Sequence, residues 1–145
     1  MQNSEKCRAY LKKRFGVTNT LEDYRFVERS GDFWIIPSNM DLDEEYITAG
    51  IRALRDTGIG LKPTTYFLQI LGEKISRNKY KLDRDTFERL VLKREVIDNK
   101  NLENGYVALE FRGKIIGCGL KRNSGLVTQI PKGRTGILQD IIKDE

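Results

Sequence analysis

The first part of the chain carries a helical pattern followed by two strand patterns. Apolar side chains recur at three- and four-residue spacing over residues 7–15, which predicts a short helix that Ser4 caps and Gly16 ends. Runs rich in aromatic and β-branched residues occur at 24–27 and 33–36 and flank the turn-forming sequence ERSGD. These two runs predict a β-hairpin.

The middle of the chain predicts another strand and then a helix. Every second residue from Ile47 to Ala53 is apolar, which predicts a strand with Leu54 on its other face. The sequence LKPTTYFLQILG predicts a helix with Pro63 in its first turn and Gly72 as its C-terminal cap. The buried face of this helix comprises Phe67, Leu68, Ile70 and Leu71.

A short cationic strand, NKYKL, precedes a second helix, RDTFERLVLKRE. Asp83 stands directly before this helix and is expected to cap it. Phe87, Leu90 and Val91 fall on one face of the helix, which we expect to be buried.

The last part of the chain is a succession of short β runs, GYVALEF, KIIGCGL and LVTQIP, separated by Gly-containing turns at 112–113 and 123–125. This succession is typical of a small barrel or sandwich. We expect Gly117 and Gly119 to let neighbouring strands pass closely, with Cys118 filling the space between them. The boundary between the two halves of the chain is expected within residues 73–78.

Several kinds of chemistry are excluded or disfavoured by the residue types present. The chain has 145 residues and no histidine, which removes histidine-based catalysis and imidazole metal sites. The glycines of the tail match neither nucleotide-binding loop pattern. The acidic sequence DLDEE at 41–45 lacks the spacing of a calcium loop, so we interpret it as a solvated segment. No enzymatic activity, metal or cofactor is therefore expected.

Two further properties concern the cell compartment. The two cysteines, Cys7 and Cys118, lie far apart and form no C-x-x-C pair, which is unlike a secreted disulfide framework. The N-terminus is too polar for a signal peptide, and no apolar run approaches the length of a membrane span. We expect a cytoplasmic protein without a membrane partner.

The distribution of charge indicates a polyanionic partner more clearly than its total does. The chain has 26 lysines and arginines against 21 carboxylates, a net charge of +5. From residue 111 to residue 139 there are six cations and no Asp or Glu. Such an asymmetry suits a phosphate backbone, although a solvated β surface is the alternative. Tyr24, Phe33 and Trp34 are interpreted as packing residues rather than base-stacking ones.

The tail resembles the PUA domain, an RNA-binding module, in residues 105–107, 113, 116–119, 124–126 and 131–133. The PUA-like C-terminal extension of Sun-family RNA cytosine-5 methyltransferases is the most similar form. Residues 49–51 and 62–64 resemble the segment that precedes this module, and the two-part plan is similar to that of Nip-type ribosome-biogenesis factors. The chain lacks the methyltransferase domain and its Pro-Cys nucleophile.

The resemblance implies an α+β fold with an N-terminal α/β pre-PUA domain over residues 1–75 and a PUA-like β-barrel over residues 76–145. It also implies non-catalytic binding of structured rRNA or tRNA, but not DNA, in ribosome biogenesis or RNA modification. An RNA methyltransferase acting in trans or a ribosome assembly factor would be a further partner. The expected RNA-binding residues are Lys79, Lys81, Lys114, Lys121, Arg122, Lys132 and Arg134. Of these, Lys121 with Arg122 and Lys132 with Arg134 are expected to lie in turns. The alternative is a protein-interaction adaptor that docks a larger RNA-processing enzyme through apolar faces around Phe67 and Phe87.

Overall fold

The protein is a mixed α+β structure with two four-stranded sheets, one of them curled into a half-barrel. A computed structural model describes residues 2–18, 22–38, 50–58, 60–99, 101–123, 125–134 and 138. The chain divides into two compact units, Met1–Arg77 and Asn78–Glu145, where the sequence placed the division after residue 75. Among the described residues, no helix is long and apolar enough to cross a membrane.

The first unit begins with helix α1, Gln2–Phe15. The predicted apolar face is confirmed, since Cys7, Leu11 and Phe15 are buried. Gly16 ends the helix with a positive φ of 65°, and its N–H donates to the Lys12 carbonyl at 3.1 Å. The predicted role of Ser4 is wrong, because Ser4 lies inside the first turn. Its hydroxyl accepts a hydrogen bond from the Phe26 N–H at 3.2 Å instead.

The first sheet has the strand order β1-β2-β3-β4 and is antiparallel throughout. Its strands are β1, Tyr24–Arg29; β2, Asp32–Pro37; β3, Ile51–Asp56; and β4, Leu61–Pro63. The predicted hairpin is confirmed as β1 and β2. Ser30 and Gly31 connect them with φ values of 53° and 85°, the conformation of the primed turns that suit hairpin twist.

Strand β3 departs from simple alternation because it contains a β-bulge. Phe33 pairs with Leu54 and Trp34 pairs with Arg52, so Ala53 is the additional residue. Ala53 and Leu54 are consequently both buried, whereas Ile51 is 44% exposed. The predicted strand is confirmed over Ile51–Asp56, but the predicted face of Leu54 is wrong, because the register places Leu54 on the same face as Ile51. The predicted residues Ile47 and Ala49 lie outside the described part of the chain.

Helix α2, Thr65–Leu71, begins later than the sequence predicts. Pro63 belongs to β4, the edge strand of the sheet, where a missing N–H is tolerated. Thr64 caps the helix, its hydroxyl accepting from the Phe67 N–H at 3.2 Å, and Gly72 ends it as predicted. Ile70 is 38% exposed and does not join the buried face that Phe67, Leu68 and Leu71 form. A 3-10 turn, Gly72–Lys74, follows.

The second unit is built on a sheet with the order β5-β6-β7-β8. Its strands are β5, Lys79–Leu82; β6, Gly105–Phe111; β7, Lys114–Arg122; and β8, Gly125–Thr128. Strands β5 and β6 are parallel and the other pairs are antiparallel. Helix α3, Arg84–Phe87, crosses between β5 and β6 and continues as a π-helical turn, Glu88–Leu92. Asp83 caps α3 as predicted, accepting from the Thr86 N–H at 2.7 Å.

One face of this second sheet packs on α3 and the π-helical turn. The core contains the predicted Phe87, Leu90 and Val91, with Phe87 stacked on Phe111 at a centroid distance of 4.3 Å. The members from the strands include Val107, Leu109 and Leu126.

The glycines of β7 make room mainly for side chains. A Cβ at Gly117 would collide with the Ile130 side chain, and one at Gly119 would lie 3.0 Å from Leu126 Cδ1 and 3.2 Å from the Val127 carbonyl oxygen. The expected close strand approach is therefore found only at Gly119. Cys118 is buried, but alternation places it on the opposite face of the sheet, so it does not fill a space between the glycines.

Candidate nucleic-acid interface

The seven predicted RNA-binding residues all belong to the second unit, but they differ in exposure. Four have exposed side chains: Lys81, Lys114, Arg122 and Lys132. Lys79 and Arg134 are half-buried. Lys121 is only 8% exposed, which places it outside the group that an RNA backbone can reach.

Lys121 is buried because of its position in β7. The sequence predicts a turn at Lys121 and Arg122, whereas both residues belong to the strand and point to opposite faces. Lys121 lies on the same face as Gly119, and its Nζ donates to the Arg122 carbonyl at 3.0 Å. The ammonium group is therefore held by the backbone, and its expected phosphate contact is not supported.

Three of the remaining cations lie on the face of the second sheet opposite the one that packs on α3. Strand register places Lys79 and Lys81 of β5 on the same face as Tyr106 of β6 and Arg122 of β7. Lys79 Nζ lies 4.0 Å from Glu110 Oε2, so part of its charge is compensated. Lys81 and Arg122 are exposed and provide the outer cations of this face.

Tyr106 occupies the middle of the same face and is half-buried. Burial raises the pKa of Tyr106, nearby Cys118 raises it further, and nearby Arg122 lowers it. The phenol is therefore neutral at physiological pH. Sequence reasoning did not select Tyr106, although its alternation with Ala108 along β6 is visible in the sequence.

The other cations lie at turns and after the last strand. Arg112 and Gly113 form the β6–β7 turn with φ values of 54° and 79°, and Lys114 follows directly. The Arg112 guanidinium lies over the Phe111 ring, 4.6 Å from its centroid. Residues 132–134 are helical rather than the predicted turn, and the Arg134 N–H donates to the Pro131 carbonyl at 3.0 Å.

The first sheet carries a second cationic surface, which sequence reasoning missed. We call it the arginine face. Register places on it the cations Arg25, Arg29, Arg52, Arg55 and Lys62, together with Val27, Asp32, Trp34 and Ile36. The opposite face of the sheet contacts the helices, as shown by Lys6 over the Phe33 ring and by the edge-to-face pair of Phe26 with Phe67. The arginine face therefore faces away from α1 and α2.

The bulge at Ala53 explains why this surface was missed. Arg52 and Arg55 are three residues apart and would point to opposite faces of a regular strand. The additional residue restores them to one face, where both contact Asp32, at 3.3 Å and 3.9 Å. Trp34 lies on this face and is half-buried, whereas its neighbour Phe33 points into the core. The predicted packing role thus holds for Phe33.

Other candidate sites receive little support. Among the described residues, no group of three or more His, Cys, Asp or Glu side chains is placed to hold a metal ion. The acidic segment 41–45 lies outside those residues. Both cysteines are buried and neither is in a disulfide, and burial raises the pKa of Cys7 to about 12, which disfavours a reactive thiolate. Phe67 and Phe87 themselves are buried in their own units, whereas Tyr66 and Ile70 near Phe67 are exposed, and the docking alternative stays a prediction.

The chain matches no protein-family model and no curated protein sequence. The resemblance to PUA-type proteins therefore rests on the sequence motifs and stays a prediction.

Proposed function

We propose that the protein binds structured RNA without catalysing a reaction on it. The observation that supports this most directly is the distribution of charge in the second unit. Residues 111–139 contain no carboxylate, and within them Arg112, Lys114, Arg122 and Lys132 all have exposed side chains. Phosphate contacts supply most of the affinity of proteins for nucleic acids, and exposed cations on an acid-free stretch of sequence are suited to them.

Structured rRNA or tRNA is the proposed ligand, and the PUA-like motifs support this choice. Double-helical RNA is recognised largely through its shape and its phosphates, which isolated cations at turns and strand ends can contact. In this proposal the protein acts in ribosome biogenesis or RNA modification. An RNA methyltransferase or an assembly factor would then act on the same RNA.

The proposal is tested by reversing two charges after the last strand. We expect Lys132→Glu with Arg134→Glu to weaken binding to a folded tRNA or an rRNA hairpin by at least about tenfold, because two attractive contacts become repulsive. Fluorescence anisotropy at fixed salt measures the affinity, and circular dichroism shows whether the thermal unfolding midpoint has moved. A second pair, Arg122→Glu with Lys132→Glu, avoids the half-buried Arg134.

The matched control is Lys12→Glu with Lys13→Glu, two exposed lysines of α1 in the first unit. This control changes the net charge equally and is expected to retain most of the affinity. Unchanged affinity in both second-unit variants, with their folds intact, would rule out the proposed surface. An equal loss in the control would show that only net charge matters.

A further inference from the structure

The arginine face of the first unit combines three features that single-stranded nucleic acids require of a protein surface. It has an aromatic residue on the second of four strands, cations on the flanking strands, and an antiparallel sheet that carries both. We propose that this face binds a single-stranded polynucleotide, with a base stacked on Trp34 and the neighbouring phosphates bound by the arginines. This site is separate from the structured-RNA surface proposed for the second unit.

The charge of the arginine face is strongly positive although the first unit as a whole is nearly neutral. Residues 1–77 contain 12 cations and 11 carboxylates. Among the residues that the structure describes, the face carries five cations and one carboxylate, Asp32. A surface of this kind attracts a phosphate backbone over about a Debye length.

Asp32 organises the arginines without using up their donors. One carboxylate contacts both Arg52 and Arg55, whose side chains remain 46% and 55% exposed. A guanidinium has five N–H donors in a rigid fork, so each arginine can still bind a phosphate while it contacts Asp32. Arg29 lies opposite Asp32 at the end of β1 and is also exposed. Two exposed arginines thus contact Asp32, and a third exposed arginine is its register partner on β1.

Trp34 provides the stacking position. It lies on β2, paired with Val27 of β1 and with Arg52 of β3, so its ring is flanked by an apolar side chain and a guanidinium. Adjacent strands are about 4.8 Å apart, which keeps the arginines of β3 within one or two strand spacings of the ring. Sheet surfaces with aromatic side chains and nearby cations bind unpaired bases by stacking, with little dependence on sequence.

The aromatic ring favours a single strand over other polyanions. In a duplex the bases stack on one another and are not available to a flat sheet surface. An acidic protein segment would engage the arginines but would not need an aromatic ring such as the half-buried Trp34 between them. The combination therefore indicates a ligand that has both phosphates and unpaired bases.

Trp34 is the chain's single tryptophan, so its fluorescence monitors the site directly. We expect an oligouridylate of about 12 nucleotides, within the usual site size, to quench the emission saturably. Inorganic polyphosphate has no bases and should cause far less quenching when an equal fraction of the protein is occupied. Competition with the oligouridylate measures that fraction. Equal quenching by polyphosphate, or no quenching when the oligonucleotide is bound, would overturn the proposal.

Variants separate stacking from charge. Trp34→Leu and Arg52→Gln with Arg55→Gln are each expected to weaken anisotropy-measured binding of the oligouridylate by about tenfold. Trp34→Phe should retain most of the affinity, because it keeps a stacking ring. The matched control, Lys12→Gln with Lys13→Gln, removes two charges from α1 and should leave the affinity nearly unchanged. If the Arg52 and Arg55 variant unfolds, Arg29→Gln replaces it, with an expected loss of a few-fold.

Two comparisons complete the test. Oligothymidylate tests whether the face distinguishes single-stranded DNA from single-stranded RNA. Equal affinity for the two oligonucleotides means that the sugar is not recognised, and weaker affinity for oligothymidylate assigns the face to RNA. Both results agree with the proposal. The second-unit pair Lys132→Glu with Arg134→Glu should leave the quenching by oligouridylate intact. Full affinity of Trp34→Leu and of the arginine variants for the oligouridylate would refute this site while leaving the structured-RNA proposal untouched.

Discussion

Asp83 shows how a single side chain determines where an element of the second unit begins. Its carboxylate accepts from the Thr86 N–H at 2.7 Å, in the first turn of α3. Hydrogen bonds from Thr86, first the backbone N–H and then the side chain, lower the pKa of Asp83 below its ordinary 3.8. The charged carboxylate is therefore favoured by the folded state over the unfolded state.

This shift predicts a pH dependence of stability. Because the folded pKa of Asp83 is depressed, its contribution is complete above the unfolded pKa of about 3.9 and is lost as the pH falls through the folded value. Asp83→Asn keeps an acceptor at the cap but does not titrate. We expect urea unfolding from pH 7 down to about pH 2 to show the wild type losing stability relative to Asp83→Asn only at the acidic end.

Asp83→Ala is the companion variant, because it removes the acceptor and should be less stable than Asp83→Asn at every pH. A wild-type protein whose stability runs parallel to that of Asp83→Asn through the acidic range would contradict the assigned role of the carboxylate.

At the scale of elements, local signals could be predicted and pairing irregularities could not. The hairpin, the cap at Asp83 and the glycine that ends α1 depend on turn and cap chemistry within a few residues, which the sequence displays. The bulge at Ala53 depends on how β3 pairs with β2, a long-range property. That one residue changed the predicted face of Leu54 and concealed the alignment of Arg52 with Arg55 on the arginine face.

The candidate site of the second unit could also be predicted only in part from the sequence. Exposed cations at 114, 122 and 132 follow from an acid-free stretch of sequence, since charged side chains are rarely buried. Lys121 is the exception, and the length of β7 explains it: the strand extends through Arg122, so alternation directs Lys121 inward. A turn predicted two residues too early was enough to assign this lysine to the wrong environment.

The start of strand β5 gives an element-scale prediction. Asn78 adopts a positive φ of 53°, its carbonyl accepts from the Ala108 N–H at 2.9 Å, and its Oδ1 accepts from the Glu103 N–H at 3.3 Å. This buried residue thus joins the beginning of β5 to β6 and to the segment before it. Asn78→Ala should cost about 2 kcal/mol of unfolding free energy, from a lost hydrogen bond and a strained backbone.

Asn78→Gly separates the two causes, since glycine adopts the positive φ freely and loses only the side-chain bond. We expect it to cost about 1 kcal/mol, measured by urea unfolding. Amide exchange at Glu103 should accelerate in both variants. Equal stability of the alanine and glycine variants would show that the backbone conformation contributes nothing.

At the scale of the whole molecule, the two units differ in how their charge is arranged. Residues 78–145 carry 14 cations and 10 carboxylates, and their proposed surface follows from an acid-free segment of sequence. Residues 1–77 are nearly balanced, and their cationic surface arises only when the sheet sorts charged side chains onto one face. The net charge of +5 therefore understates how well the protein is suited to polyanions.

The two proposed surfaces predict two independent salt dependences, one for each ligand. Each phosphate contact made to a single strand contributes about 0.7 to the slope of log affinity against log salt. Contacts from Arg29, Arg52 and Arg55 should therefore contribute about 2 to the slope for the oligouridylate. Arg52→Gln with Arg55→Gln should remove most of this contribution and leave the slope for a folded RNA hairpin unchanged. Lys132→Glu with Arg134→Glu should reduce the hairpin slope and preserve the oligouridylate slope. Anisotropy titrations over a fourfold range of salt, about 50 to 200 mM, measure both slopes. An oligouridylate slope that stays the same in the Arg52 and Arg55 variant would show that these arginines do not contact its phosphates.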